Sequence, residues 1–287
     1  MINVGIIGTG NIGTDLLLKI LKTNYINLVI FVGRRMDSDG IILAKSKGIS
    51  VSIEGIDYFK KNSHQSIDLV YDCTDAADAI VHSKIFDSLG IKVIDLTPSK
   101  IGKMCVPDIN EDIIFSTNNV NLITCGGQAC LPILHLLAKE ITGLKYIEVV
   151  SQAASKSAGL ATRINVDNYI NTTQKAITEF TGCTNNKVIL NLNPAEPCVD
   201  MQTTMFLEFD EINLDEIRKK VNKKIEDLRK YIPLYDLIIP PTIKENGVLM
   251  LNVKIRSSGD YFPSYAGNLD IINCAAIKLT QIIALGK

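Results

Sequence analysis

The chain has almost no excess of charge of either sign: 30 lysines and arginines stand against 31 aspartates and glutamates, a formal net charge of −1. That balance gives no general attraction to nucleic acid or to an anionic membrane. No CxxC pair occurs. The seven cysteines, at 73, 105, 125, 130, 183, 198 and 274, are odd in number and dispersed, which suits reduced thiols rather than a disulfide framework. Cys125, Cys130 and His135 invite comparison with metal ligands, but nothing supplies a matching second half, so no metal is expected. No segment approaches the ~20 apolar residues that span a bilayer. The chain starts directly in a strand pattern, INVGIIG, with no charged region or cleavage site before it. A cytoplasmic, enzyme-sized protein with neither a membrane nor a nucleic-acid partner is therefore expected. Repeats, low-complexity segments and long linkers are lacking too. What is present is 287 residues, 46% of them hydrophobic, enough for a sizeable core and for two domains.

Strand and helix signals alternate through the first third. INVGII, NLVIFVG, IDLVYDC and IKVIDLTP read as strands, with helices between them such as Asn11 to Lys22 and Ala76 to Leu89. That alternation predicts an α/β fold with a doubly wound, Rossmann-like parallel sheet. NVNLITC adds one more strand. After about Gln128 the rhythm changes. A helix from Ala129 to Ile141 is apolar nearly all round, which predicts burial. KYIEVVSQAAS, KVILNLN, TTMFLEFD and GVLMLNVKIRS then read as long strands. The helices among them are Val166 to Phe180 and Leu214 to Lys230, and Gly267 to Leu285 closes the chain. This half predicts a mainly antiparallel α+β domain.

Gly8-Thr9-Gly10-Asn11-Ile12-Gly13 follows the first strand and opens a helix. Glycines here let the backbone turn tightly and approach a pyrophosphate, which rests on helix N–H groups. A glycine-rich turn with no ligand is the plain alternative. The second strand ends FVGRRMDSDG, with Gly33, Arg34 and Arg35 where a ribose-binding acid often sits and Asp37 a little later. An arginine there accepts a 2′-phosphate, so these residues leave both NAD and NADP open.

Cys125 lies in NLITCGGQACLPIL, where a strand gives way to a helix. A helix N-terminus favours a thiolate. Gly126 and Gly127 leave room for a substrate, and their N–H groups are candidates to stabilise an oxyanion. Pro132 suits a helical first turn. Cys130 takes the packing role. A thiol nucleophile beside a dinucleotide fold makes one chemistry natural: addition to an aldehyde, hydride loss and a thioester.

These motifs carry a resemblance. GIIGTGNIGTDLL, DSDG, VIDLTPSKIG, VPDIN, NLITCGGQAC, SKSAGLATRINVDNY, VILNLNPAEP and YFPSYAGNLDI together resemble the acylating acetaldehyde dehydrogenase family. These are CoA-dependent acetaldehyde or propanal dehydrogenases, often paired with a 4-hydroxy-2-oxovalerate aldolase and associated with aromatic hydrocarbon catabolism. The resemblance implies that Cys125 carries the acyl thioester. It implies cofactor contacts at Thr9, Gly10, Asn11 and Ile12, beside Gly8 of the same glycine turn. A second set is Ser157, Ala158, Gly159, Leu160, Ala161, Thr162, Arg163, Ile164 and Asn165, and a third contact is Asn268. Asn165 also suits a helix cap. The implied layout is like glyceraldehyde-3-phosphate dehydrogenase, with a nucleotide domain of residues 1–125 and 266–287 and a catalytic, dimerisation domain of 126–265. NAD as cofactor, CoA as co-substrate, a homodimer and an aldolase partner follow from it.

Members of that family carry MRDT after NPAEPP, and its acid is a candidate base for the CoA thiol. Here the run is NPAEPCVDMQTTMF, with Thr203 at the matching place and Asp200 three residues upstream. On a strand, that spacing puts the two on opposite faces unless the strand bulges or begins after Asp200. Two other readings stand beside this one: a semialdehyde dehydrogenase of the same architecture, discharging the thioester to phosphate or water, and a silent dinucleotide-binding subunit.

Overall fold

The computed structural model describes residues 1–62, 66–159, 162–163 and 165–286. Contacts divide the chain into two compact units, Met1–Leu122 with Asn273–Lys287 and Ile123–Ile272. The first cut falls a few residues ahead of the 125/126 boundary expected, so Cys125 goes with the second unit. The second cut falls inside the last helix rather than before it.

In the first unit, strands β1 (Ile2–Ile7), β2 (Ile26–Val32), β3 (Val51–Ser52), β4 (Leu69–Asp72), β5 (Lys92–Asp95), β6 (Lys103–Cys105) and β7 (Asn119–Leu122) form one sheet in the order 3-2-1-4-5-7-6. Every pair in it is parallel. Helices α1 (Asn11–Ile20), α2 (Asp39–Ser46), α3 (Asp57–Lys61), α4 (Ala76–Ser88) and α5 (Ile113–Ser116) connect the strands. Parallel neighbours need such crossovers, and a sheet covered by helices explains the nearly continuous apolar strands. The order reverses between β1 and β4, the place where open α/β sheets bind ligands.

The second unit opens with α6 (Cys125–Glu140), four residues earlier than the apolar pattern suggested. Strands β8 (Tyr146–Ala154), β9 (Asn186–Asn193), β10 (Met201–Glu208), β11 (Tyr235–Ile243) and β12 (Leu249–Ile255) form a sheet ordered 11-12-10-8-9. Three of its pairs are antiparallel. β8 and β9 are parallel, joined by a crossover through α7 (Val166–Thr181). α8 (Leu214–Arg229) precedes β11. β11 carries Pro240 and Pro241, which argue against a strand. It tolerates them because it lies at the sheet's edge and is bulged between Leu237 and Thr242.

Burial alternates along most of the central strands, broken on β12 by the buried Asn252. Ile147, Val149, Ser151, Met201, Thr203, Met205, Leu249, Leu251 and Val253 are buried, while Glu148, Val150, Gln202, Phe206, Met250 and Lys254 are half-buried. One face of this sheet is thus covered within the unit and the other remains partly open.

The last helix, α9 (Gly267–Leu285), corrects an expectation: it is long and apolar enough to cross a membrane by length and composition. Its side chains assign it to a protein core instead. In the first unit, Thr280 Oγ1 meets the buried Tyr71 hydroxyl at 2.5 Å, and Asn273 Nδ2 donates to Asp15 Oδ2 at 2.7 Å and the Ile12 carbonyl at 3.1 Å.

Candidate active site

In the first unit, the loops after β1, β2 and β4 enclose a cleft of about 630 Å³ lined by Gly8, Thr9, Gly10, Arg34, Thr74 and Asp75, among others. Gly8 has a φ of +107°, and a Cβ there would fall 2.5 Å from the Cys73 backbone. Gly10 is the N-cap of α1, no side chain caps this helix, and a Cβ on Gly10 would meet nothing within 4 Å. Unengaged helix N–H groups behind an open glycine are the cradle that a pyrophosphate requires. Asn11 and Ile12 open the helix, and the Ile12 carbonyl is held by Asn273, which fixes the turn from behind.

At the end of β2 a side chain at Gly33 would require Thr9 to shift. A Cβ at Gly33 would lie 2.6 Å from Thr9 Cγ2. The two arginines next to it hold surface acids: Arg34 pairs with Asp78 at 3.0 Å and Arg35 with Asp37 at 3.8 Å. Arg34, Arg35 and Asp78 line the cleft, whereas Asp37 is exposed.

In the second unit, Cys125 is the first residue of α6. Thr124 caps the helix, its hydroxyl accepting the Gly127 N–H at 3.1 Å, and the same hydroxyl meets Thr173 Oγ1 at 2.6 Å. The Gly126 N–H donates to the Tyr169 hydroxyl at 3.0 Å. Both glycine N–H groups are therefore engaged by the protein itself, which overturns their proposed part in an oxyanion hole. The glycines are also small for another reason. A Cβ on Gly126 would lie 2.1 Å from Tyr169 Oη and 2.6 Å from Ser151 Oγ. A Cβ on Gly127 would lie 2.5 Å from Ile123 Cδ1, so the space both glycines leave is filled by the protein's own side chains rather than by substrate.

The Cys125 sulfur is half-buried and lies 3.8 Å from the Tyr169 oxygen. Burial pushes its thiol up, while Tyr169 and the N–H groups of Gly126 and Cys125 act in the opposite direction. Cys130 is fully buried, its sulfur directed at the Gly127 carbonyl at 3.8 Å, and burial drives its thiol far up. Since α6 begins at Cys125, Pro132 lies inside it rather than in its first turn. His135 bonds the Phe180 carbonyl through Nδ1 at 2.7 Å.

The remaining motifs converge within this unit. Asn268 Nδ2 donates to the Ser157 carbonyl at 3.2 Å, and its buried Oδ1 has no partner among the described residues. An orphaned amide oxygen suits a ligand's carboxamide N–H. Arg163 is turned back on its own segment, bonding Ser155 O at 2.6 Å and Ala158 O at 3.1 Å. Lys156 pairs with Glu196 of NPAEP. Ser157 and Ala158 are buried, Gly159 and Arg163 exposed and Thr162 half-buried. Asn165 occupies the N-cap position of α7, but its side chain makes no capping bond. Leu160, Ala161 and Ile164 lie outside the described residues. Thr203 is wholly buried on β10, its hydroxyl 3.1 Å from Ser151 Oγ. β10 begins after Asp200, so strand alternation does not place its side chain; its carboxylate lies 3.9 Å from Lys254 Nζ. Tyr169, Ser151 and Thr173 escaped the sequence reading because nothing in their spacing links them to Cys125.

The family described as prokaryotic acetaldehyde dehydrogenase, dimerisation, matches residues 125–263. An acetaldehyde dehydrogenase of Spirochaeta aurantia is 48% identical over 98% of this chain and 94% of its own. The chain belongs to the acetaldehyde dehydrogenase family. Acetaldehyde dehydrogenases of Burkholderia thailandensis and Pectobacterium atrosepticum are each 46% identical, over 97% and 99% of this chain and 93% and 96% of their own. The fold is also that of aspartate semialdehyde dehydrogenase II from Vibrio cholerae, with a TM-score of 0.67 at 14% identity over 99% of this chain and 98% of that one. That likeness gives the acetaldehyde dehydrogenase family member the glyceraldehyde-3-phosphate-dehydrogenase-like layout expected. The dimerisation description of the matched region supports a homodimer.

Proposed function

We propose that this protein oxidises a short-chain aldehyde, acetaldehyde or propanal, with NAD and CoA to an acyl-CoA. The observation that carries the reading is Cys125 at the start of α6, with the Tyr169 phenol 3.8 Å from its sulfur. Membership of the acetaldehyde dehydrogenase family supports an aldehyde dehydrogenase. The thiolate adds to the aldehyde carbonyl, and the alkoxide takes up a proton to give a thiohemiacetal. A bound nicotinamide dinucleotide would supply the hydride acceptor. Gly8, Gly10 and the first turn of α1 would hold its pyrophosphate. Loss of hydride and of the hydroxyl proton leaves a thioester on Cys125. Attack by the CoA thiolate then frees the cysteine as thiolate and releases acyl-CoA.

A second reading concerns the nucleotide: Arg34, in the cleft at the end of β2, favours a 2′-phosphate and hence NADP. NADH formation from acetaldehyde tests both. It should be fastest with NAD and CoA. Equal rates with phosphate, or with no acyl acceptor, would instead support a semialdehyde-dehydrogenase-like discharge, and a higher kcat/KM with NADP would reverse the nucleotide assignment. We assign the homodimer to the open face of the second unit's sheet, where Val150, Phe206 and Met250 lie half-buried.

A further inference from the structure

The surroundings of Cys125 contain a buried row of hydroxyl groups that the steps above do not use. Tyr169 is 9% exposed, Ser151 1% and Thr203 0%. Tyr169 Oη lies 3.8 Å from Cys125 Sγ and accepts the Gly126 N–H at 3.0 Å. Tyr169 Oη and Ser151 Oγ face the same gap beside Gly126, where a Cβ would lie 2.1 Å from the one and 2.6 Å from the other. Ser151 Oγ is 3.1 Å from Thr203 Oγ1. Among these contacts, none involves a carboxylate or an ammonium group.

We propose that Tyr169 is a catalytic residue of this site, donating its phenolic hydrogen to the Cys125 thiolate, with Ser151 and Thr203 turning in concert behind it. The proposal rests on Cys125 being the nucleophile. A hydroxyl carries one hydrogen and two acceptor positions, and it rotates to suit its partners. While Cys125 is a thiol, its S–H donates to the Tyr169 oxygen, and the phenol donates to Ser151. When the thiol proton leaves for solvent, the sulfur can only accept. The phenol then turns its O–H to the sulfur, and Ser151 donates to the phenol oxygen in its place. No proton travels along the row; each hydroxyl keeps its own and reverses its direction. The Gly126 N–H stays on the phenol oxygen in both states, polarising the O–H towards stronger donation. The same reversal returns when the thiolate forms its bond to carbon, since the thioether sulfur is a weak acceptor. The donor is thus strongest for the free thiolate, the form that attacks the aldehyde and the form released on acyl transfer.

The test is the pH dependence of iodoacetamide alkylation at Cys125, mapped by mass spectrometry of the whole protein's peptides, in the wild type, Tyr169→Phe, Ser151→Ala and Thr203→Val. A hydrogen bond to an ionised group is worth about one to two pH units of displacement. Tyr169→Phe should raise the alkylation midpoint by about that much, with a roughly tenfold or greater loss of rate below the midpoint. Ser151→Ala should move it less, in the same direction, and Thr203→Val least. A wholly structural role would lower the unfolding midpoint without this graded shift. Should Tyr169→Phe not fold, the Ser151→Ala and Thr203→Val profiles decide, and wild-type profiles for both overturn the proposal. An unmoved midpoint in folded Tyr169→Phe overturns it alone, even where acetaldehyde still yields NADH through Cys125. A raised midpoint in a protein that forms no NADH from acetaldehyde supports the thiolate contact while removing the proposed activity.

Discussion

The two units build their sites from different materials. In the first, the candidate site is backbone: the turn after β1, an uncapped helix start, and Gly10, whose missing side chain leaves open space at the cleft. In the second it is side chain: a half-buried thiol, a phenol, and two hydroxyls brought from β8 and β10. A glycine therefore has opposite meanings in the two. Gly10 is open to a ligand, whereas Gly126 makes way for Tyr169 and Ser151. A phosphate cradle needs only N–H groups and room. A nucleophile needs a tuned environment, and buried hydroxyls provide it from distant parts of the chain.

The sharpest way to separate the units is Cys125→Ala. It should abolish aldehyde-dependent NADH formation while NAD still binds with its original affinity, as measured by fluorescence titration. Activity surviving there and lost in Cys130→Ala would move the nucleophile to the buried thiol.

Acyl transfer comes next in size. A positioned general base contributes about 100- to 10,000-fold; Thr203 is a neutral hydroxyl, and Asp200, just ahead of β10, has Lys254 for its ion-pair partner. Stopped-flow absorbance should show a burst of NADH followed by a slower phase limited by CoA. A single linear phase at saturating CoA would mean that transfer is not limiting.

The open sheet face is the next contrast. Phe206→Glu, on that face, should yield a monomer by light scattering, since an unpaired charge cannot be buried cheaply in an interface. A dimer unchanged at micromolar concentration would place the contact elsewhere.

Gly126→Ala and Gly10→Ala test the comparison directly. The first should cost about 1–3 kcal/mol in urea unfolding, because overpacking forces Tyr169 and Ser151 aside. The second should leave stability nearly unchanged and weaken nucleotide binding. Equal stability losses would erase the distinction.

A pH effect belongs to Asp95, buried at the end of β5 and pushed up to about 6 by that burial, against hydrogen bonds from Ser99 and Thr97. Its folded state binds a proton more tightly than its unfolded state. The associated stability is thus fully present below about pH 4 and is lost as pH rises through about 6. The shift bounds the loss at about 3 kcal/mol. Asp95→Asn should flatten this part of the stability profile between those pH values; an unchanged slope in urea titrations would assign it to other groups.

The residue pattern alone determined the alternation of strand and helix in the first unit, the glycine turn at Gly8 to Gly13, and the position of Cys125 at a strand-to-helix junction. These are local properties: periodicity and turn chemistry act over a few residues, so they are written contiguously. It missed β11 because Pro240 and Pro241 are forbidden only in a central strand, and strand order is a long-range fact. It assigned Gly126 and Gly127 to the substrate because nothing local reveals that Tyr169 and Thr124 take their N–H groups. It put Pro132 in a first turn because the start of α6 is set by capping from Thr124 and docking against Thr173, not by the apolar pattern alone. Only the tertiary structure decided which hydroxyls reach the sulfur. Tyr169, Ser151 and Thr203 meet because α7 crosses between β8 and β9 and because β10 pairs with β8, bringing Thr203 opposite Ser151. Contacts between residues so far apart in the chain depend on how elements pack, and packing leaves no spacing in the sequence to read.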